Sequence, residues 1–470
     1  MKLKKNQQLS FQLYIIGMPI IFLISLLFFV VLNNNIYSLL TGFLCIYLFT
    51  VFYAIRYSGI ISLYSLFLYT STFFLYDAFW FTLFDENKNF LKQTFPKRYF
   101  IDDEIGIKFL ICSILLTYIM HISYFLAYKK RKSFTPIVKH DLAFEKAGIL
   151  IMLIFLFPSL VKLYIQLMYI KKFGYLALFA GDLSDIKYPI WTTGANLIFI
   201  TGFSIFVAAN PSKKKFIIYS IIFFLLMAFN GAKGQRGILI APLVALLYWF
   251  TQKYNVKIKI GTLILIFVLI VGITYSLGTI RNSYGEKNKT NTTNINVIDL
   301  ISNVLYTQTT SRAVPMIIIE GELPYHNYPF IFSPLLTYLT RFIYPSKGQD
   351  EVSLQKYNDI SSITLFSVSP SAYYKGKGYG GAFLAEAYDC GGYIGIVFWG
   401  IILSVFIAFC DYSKLNINNN YLPFLFLFLL NFAMLPRNRL FTLFDTHLPK
   451  LFILVIILPL IKEKKLWRLR

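Results

Sequence analysis

The stretch FQLYIIGMPIIFLISLLFFVVL, residues 11–32, carries no charge and follows Lys2, Lys4 and Lys5. It supplies the roughly 20 apolar residues that a helix needs to cross a bilayer. The lysines before it predict that its start lies in the cytoplasm. No small-residue cleavage site follows, so the stretch reads as a retained helix rather than a signal peptide. Comparable runs recur at 36–56, 59–84, 106–128, 147–170, 189–209, 216–230, 236–251, 260–280, 391–410, 420–436 and 448–462. About twelve spans make the chain an all-α, polytopic integral membrane protein. Composition agrees: 57% of the 470 residues are hydrophobic and 14% are charged, with a mean hydropathy of +0.61.

Orientation follows from charge. With the N-terminus inside, the N-terminal residues, the cytoplasmic connections and the tail carry 22 Lys and Arg against Asp141, Glu145, Asp411 and Glu463. The KKRK run at 129–132 and the KKK run at 213–215 both fall on that side. The net charge of +23 is therefore largely a topology signal and no sign of nucleic-acid binding. Three parts result: an N-terminal bundle of about nine spans over 1–280, a large outward loop with short helices over 281–390, and C-terminal spans with a cytoplasmic tail over 391–470. The segment from Arg281 to Cys390 holds nine basic and nine acidic residues. A loop of that length is expected to carry structure of its own, including interfacial helices near Val297–Tyr306 and Ser333–Phe342. Cys45, Cys112, Cys390 and Cys410 are scattered, with neither disulfide nor metal spacing. No internal repeat is evident, which weighs against repeat-built transporters.

The arginines break the charge rule. Arg98, Arg236, Arg281, Arg312, Arg341, Arg437 and Arg439 all fall outside, where Lys and Arg should be scarce. Arginine is a rigid, permanently charged fork for phosphate or carboxylate, so an outward set points to an anion held at that face. Three motifs concentrate the signal. NGAKGQRG, residues 230–237, joins two spans with three glycines and places Lys233 and Arg236 at a helix start, where free N–H groups also favour an anion. Pro436-Arg-Asn-Arg439 ends another span, with Asp445 and His447 beyond it; Arg437 is a phosphate ligand, and Arg439 either joins it or snorkels to the interface. Glu386 and Asp389 precede the span opened by Gly391, Gly392 and Gly395. They are the best-placed carboxylates to take a proton from a hydroxyl, against the plainer reading that they cap or pair. Arg312, Arg341, Lys347, Lys375 and Lys377 extend the cationic set; Glu320, Glu322, His326 and Asp389 are alternative bases. His121 and His140 read as structural. No Walker loop, dinucleotide fingerprint, HExxH or nucleophile elbow is present.

This layout resembles the Wzy-type family of bacterial oligosaccharide repeat-unit polymerases. The resemblance rests on Gly234-Gln235-Arg236 between two spans, the large loop after it, Glu386, Tyr388, Gly391 and Gly395 leading into the next span, and Arg437 at the outer end of the penultimate one. It implies a GT-C-like membrane glycosyltransferase in the bacterial inner membrane, with both termini cytoplasmic and its site facing the periplasm. A polymer on undecaprenyl pyrophosphate would pass to the non-reducing end of a new lipid-linked repeat unit. Arg236, Arg437, Lys233, Arg439, Arg312 and Arg341 would hold pyrophosphate, and Glu386 would serve as base. The implied partners are the two lipid-linked oligosaccharides, membrane lipid and a regulator of chain length. No cofactor and no metal are implied.

Two rival classes remain. An O-antigen ligase tends to carry a His-Asn pair just before the corresponding span, where this chain reads Gly380-Gly381, and His326-Asn327 lies well upstream. A non-enzymatic lipid-oligosaccharide flippase would set cations along a central path, yet Lys162 is the only lysine deep within a predicted span, and the other cations cluster at one face.

Overall fold

The computed structural model describes residues 5–32, 36–84, 103–129, 140–174, 186–233, 237–259, 309–321, 323–345 and 349–467, with single positions between 261 and 272. No strand occurs among them. The first half contains α1 (Lys5–Val31), α2 (Ile36–Ser58), α3 (Leu63–Phe74), α4 (Asp77–Phe84), α5 (Asp103–Lys129), α6 (Leu142–Phe173), α7 (Ala195–Ala208), α8 (Lys213–Gly231) and α9 (Gly237–Tyr254). The second half contains α10 (Thr309–Glu320), α11 (Ser333–Ile343), α12 (Glu351–Lys356), α13 (Ile360–Val368), α14 (Pro370–Tyr374), α15 (Phe383–Asp389), α16 (Gly392–Ser413), α17 (Leu422–Phe432) and α18 (Thr442–Trp467).

Among the described residues, seven helical stretches are long and apolar enough to cross a membrane: Gln12–Val31, Ile36–Ser58, Asp103–Tyr128, Leu142–Phe173, Ile190–Ala208, Lys213–Gly231 and Gly392–Ser413. Leu422–Phe432 and Leu448–Ile461 are shorter apolar helices. The chain is thus an all-α integral membrane protein. Large apolar side chains such as Leu23, Leu153, Phe157 and Ile394 face outward along the long helices, as lipid contact requires. The expected span at 260–280 and the helix near Val297–Tyr306 fall largely or wholly outside the described residues.

The run 59–84 differs from a single span. The chain turns at Leu75 and Tyr76, whose N–H groups both reach the Ser71 carbonyl, and α4 restarts on Asp77, an acid at a helix N-terminus. At its other end α3 is capped twice. Ser62 accepts from Ser65 N, and Asp411, from the last turns of α16, accepts from Leu63 N at 2.7 Å and Tyr64 N at 3.1 Å. Hydropathy alone does not register such a break, because both halves are apolar.

Helices α6 and α7 pack along one another, as do α5 and α16. The backbones approach closely: a Cβ at Gly148 of α6 would lie 2.5 Å from the Phe206 nitrogen of α7. The helix expected near Ser333–Phe342 is α11, and its faces are reversed relative to a soluble amphipathic helix. Ser333 and Thr337 are buried, whereas Leu335, Leu336, Leu339, Phe342 and Ile343 are exposed. An apolar face turned away from the protein, in a membrane chain, suits a helix lying in the bilayer interface.

Candidate functional site

The turn after α17 is where the predicted groups converge. Asn431 O accepts from Met434 N, and Pro436 sits in a 3-10 turn, Leu435–Arg437, after which the backbone becomes extended at Asn438. Three chain segments hold this turn. Gly381 N donates to Arg437 O at 3.1 Å, Leu440 N donates to Glu386 Oε2 at 2.8 Å, and Arg439 Nη1 pairs with Asp359 Oδ1 at 2.8 Å. Gly380 N in turn donates to Ser361 Oγ at 2.9 Å. The Gly380-Gly381 pair is what allows the approach. Gly380 has a φ of +89°, and a Cβ at Gly381 would meet the Arg439 Cγ at 3.0 Å. The Arg437 guanidinium lies 5.9 Å from the centre of the Phe74 ring at the end of α3, within cation–π range.

Glu386 is fully buried in α15. One oxygen accepts the Leu440 N–H and the other, Oε1, has no partner among the described residues. Burial raises its pKa to about 8, against the lowering effects of the Leu440 N–H and the Arg439 charge. Its carboxyl is therefore mostly protonated at neutral pH. Asp389, one turn on, accepts from Phe330 N at 2.7 Å and pairs with His326 Nε2 at 3.2 Å. That hydrogen bond raises the His326 pKa above its ordinary value. Glu386 and Asp389 thus both tie α15 to neighbouring loops, and His326 belongs to the same cluster. Gly395 permits the tight α15–α16 corner, since a Cβ there would collide with the Ala387 carbonyl.

The α8–α9 hairpin reaches the same end of the bundle. Arg236 lies outside the described residues, but its neighbour Gly237 abuts the turn: a Cβ there would meet Met434 Cε at 2.8 Å. Phe74, Ala241, Ala433 and Met434 form one apolar cluster behind it. Lys233 faces elsewhere. Its Nζ donates to Gln166 Oε1 of α6 at 2.9 Å, inside a polar cavity of about 200 Å³ that Lys162 and Ile238 also line. Burial, and then the Lys162 ammonium nearby, lower the Lys233 pKa to about 8.

The remaining predicted residues are more scattered. Arg341, at the end of α11, is exposed over the Tyr357 ring at 5.3 Å. Glu320 is exposed at the end of α10, and the side chain of Arg312 lies outside the described residues. Among the described residues no three His, Cys, Asp or Glu gather as a metal site would need. Sequence reasoning missed Asp359, because Asp359-x-x-Ser362 reads as a helix cap, which it also is. It missed Ser361 as well, whose contact depends on distant chain. The cavity did leave a signal: Ser159, Lys162 and Gln166 lie at helical spacing on one face of an apolar helix.

No curated protein and no solved structure matches the chain. A family model, O-antigen polysaccharide polymerase Wzy, matches residues 15–465. Nearly the whole chain is covered, including the glycine pair, Glu386 and both arginines of the turn: the protein belongs to the O-antigen polysaccharide polymerase Wzy family.

Proposed function

We propose that the protein transfers a growing polymer from undecaprenyl pyrophosphate to the non-reducing end of a new undecaprenyl-pyrophosphate-linked repeat unit, at the periplasmic face of the bacterial inner membrane. The observation that carries this reading is the arginine turn, in which Arg437 and Arg439 are held by three separate segments at one end of the bundle. In the transfer, the bond between the donor sugar's anomeric carbon and the pyrophosphate oxygen breaks. A bond from that carbon to the acceptor hydroxyl oxygen forms, the hydroxyl proton passes to a base, and undecaprenyl pyrophosphate leaves as an anion.

The leaving group is stable as an anion, so the reaction gains most from fixed positive charge where negative charge develops. Arg437, with Arg236 from the abutting hairpin, supplies that charge, and Arg439 is set beside it by Asp359. A rigid scaffold limits reorganisation during the reaction. Glu386 is the candidate base. Its Oε1 has no hydrogen-bond partner among the described residues, so it is the oxygen left for a hydroxyl. Lipid-linked substrates reach such a site from the bilayer, and α11, apolar on its outer side, would line their approach.

The test is polymerisation by the purified chain in lipid nanodiscs, with lipid-linked repeat units as substrate. Arg236→Ala and Arg437→Ala each lower the rate about 100-fold or more while membrane insertion is unchanged, in line with the loss of one transition-state donor. Arg→Lys at either position restores only part, because a point charge does not replace the fork. Full activity in Arg437→Ala would sink the reading.

A further inference from the structure

The cavity at the end of α6, α7 and α8 has the chemistry of a second anion site. Lys162 of α6 and Lys233 of the hairpin both line it, and neither pairs with a carboxylate among the described residues. Lys162 instead lies over the Tyr188 ring at 5.4 Å, and Lys233 donates to Gln166. Two ammonium groups in one half-buried space repel each other unless an anion sits between them. The wall opposite is the start of α7. Gly194, its N-cap, has a φ of +73° and offers no side chain to the first N–H groups of the helix, and Gly194, Asn196 and Leu197 all line the cavity. These N–H groups and the helix dipole favour an anion at the same place.

A bare anion would leave part of the cavity unsatisfied. Asn230 is only 6% exposed, and among the described residues its Oδ1 has no hydrogen-bond partner; the Asn196 Oδ1 is likewise buried and unpaired among them. Amide oxygens accept hydrogen bonds from hydroxyls. Two lysines, a helix start and two amide oxygens around one cavity fit an anion joined to a hydroxylated group.

The position is informative too. Gly237 packs on the Met434 turn while the next residue, Ile238, lines the cavity. The first turn of α9 therefore separates the cavity from the arginine turn. We propose that the Lys162–Lys233 cavity holds the pyrophosphate and first sugar of the acceptor lipid, while the arginine turn holds the donor's pyrophosphate.

The assignment rests on the polymerase reading, in which two pyrophosphates are present together. Their mutual repulsion calls for two separate sets of cations. The donor's pyrophosphate gains charge as the bond breaks, so it profits from rigid forks. The acceptor's pyrophosphate keeps its charge throughout, so its site needs only to bind, and flexible ammonium groups suffice.

Binding and kinetics separate this proposal from the reading beneath it. Purified full-length protein in nanodiscs is titrated with undecaprenyl pyrophosphate bearing one sugar, and then with inorganic pyrophosphate. The wild type takes up two equivalents of the glycolipid, Lys162→Met/Lys233→Met takes up one, and Arg437→Ala also takes up one. Inorganic pyrophosphate binds the cavity at least tenfold more weakly than the glycolipid, and Asn230→Ala removes that preference. In steady-state assays the double lysine variant raises KM for the acceptor at least tenfold with little change in kcat, whereas Arg437→Ala lowers kcat. The one equivalent that the double lysine variant still binds at the arginine turn controls for its folding. Unchanged stoichiometry and unchanged acceptor KM in the double lysine variant would overturn the second site and leave the arginine reading standing. Equal affinity for inorganic pyrophosphate and glycolipid would overturn the role given to the asparagines.

Discussion

Asp411, in the last turns of α16, and Glu386, just before its start, are two buried carboxylates treated in opposite ways. Asp411 has both oxygens occupied. Oδ1 takes the Leu63 N–H, and Oδ2 takes the Tyr64 N–H and, at 3.0 Å, the Tyr124 hydroxyl. Nearby in topology, Glu145 at the start of α6 is shared between Lys215 and His140. At that end the charges complete the structure. Before the other end of α16, Glu386 uses one oxygen and leaves Oε1 bare, and in the neighbouring cavity two asparagine oxygens are also unmet. Buried polar groups without partners cost free energy. Such atoms occur elsewhere among the described residues too, Ser58 Oγ and Ser220 Oγ among them; these three matter because they adjoin the two proposed sites.

The contrast can be broken most sharply at Glu386. Gln keeps an oxygen for the Leu440 N–H but cannot accept a proton, so Glu386→Gln leaves the fold intact and lowers the transfer rate about 100-fold if Glu386 is the base. In the wild type the rate climbs as pH rises through about 8, where the carboxyl ionises, and the climb disappears in Glu386→Gln. A rate within about twofold of wild type would make Glu386 a tie and nothing more.

The stability of the wild type should move the other way with pH. The folded pKa of Glu386 lies above the ordinary carboxyl value, so the folded state binds the extra proton. Its contribution to stability is therefore present at acid pH and is lost as pH rises towards about 8. Thermal unfolding in detergent between pH 5 and 8 checks the sign, with Glu386→Gln as the flat reference.

Asp411→Asn sharpens the other half of the contrast. It leaves one helix N–H of α3 facing a donor, at about 2 kcal/mol of stability, read as a lower unfolding temperature. Activity per folded molecule stays unchanged. A loss of rate larger than the loss of folded protein would move Asp411 into the functional set. Asp359→Asn gives the smallest effect. It removes the charge that fixes Arg439 while keeping the cap, so the rate falls roughly 3- to 10-fold, about 1 kcal/mol, with insertion unaffected.

The membrane class and most span positions were legible because apolar runs of bilayer length have no other stable use in a chain this poor in charge. Helix α11 was legible for a similar reason, since its periodicity is local. The single span expected over 59–84 was not, because its break is decided by Ser71, Asp77 and a cap from Asp411, more than 300 residues away in the chain. The candidate site divides along the same line. Arg437 and Arg439 stood out as charges where charges are expensive, Glu386 and Asp389 as carboxylates at the entry to a span, and His326 as an alternative base; the structure ties Glu386 to the arginine turn and Asp389 to His326. Asp359 and Ser361 did not, since each reads as an ordinary loop residue until the 437–440 turn folds against it.

By itself, then, the sequence determined that this chain crosses a membrane many times and which family it belongs to, because hydropathy, charge and short motifs are properties of contiguous chain. Tertiary structure alone decided that Arg439 pairs with Asp359 while Lys162 and Lys233 meet no carboxylate among the described residues, that Glu386 is buried with one oxygen unpartnered among them, and that a cavity opens beside the first turn of α9. Those outcomes depend on which distant groups meet and on how much water is excluded between them, and neither is written in any local run of residues.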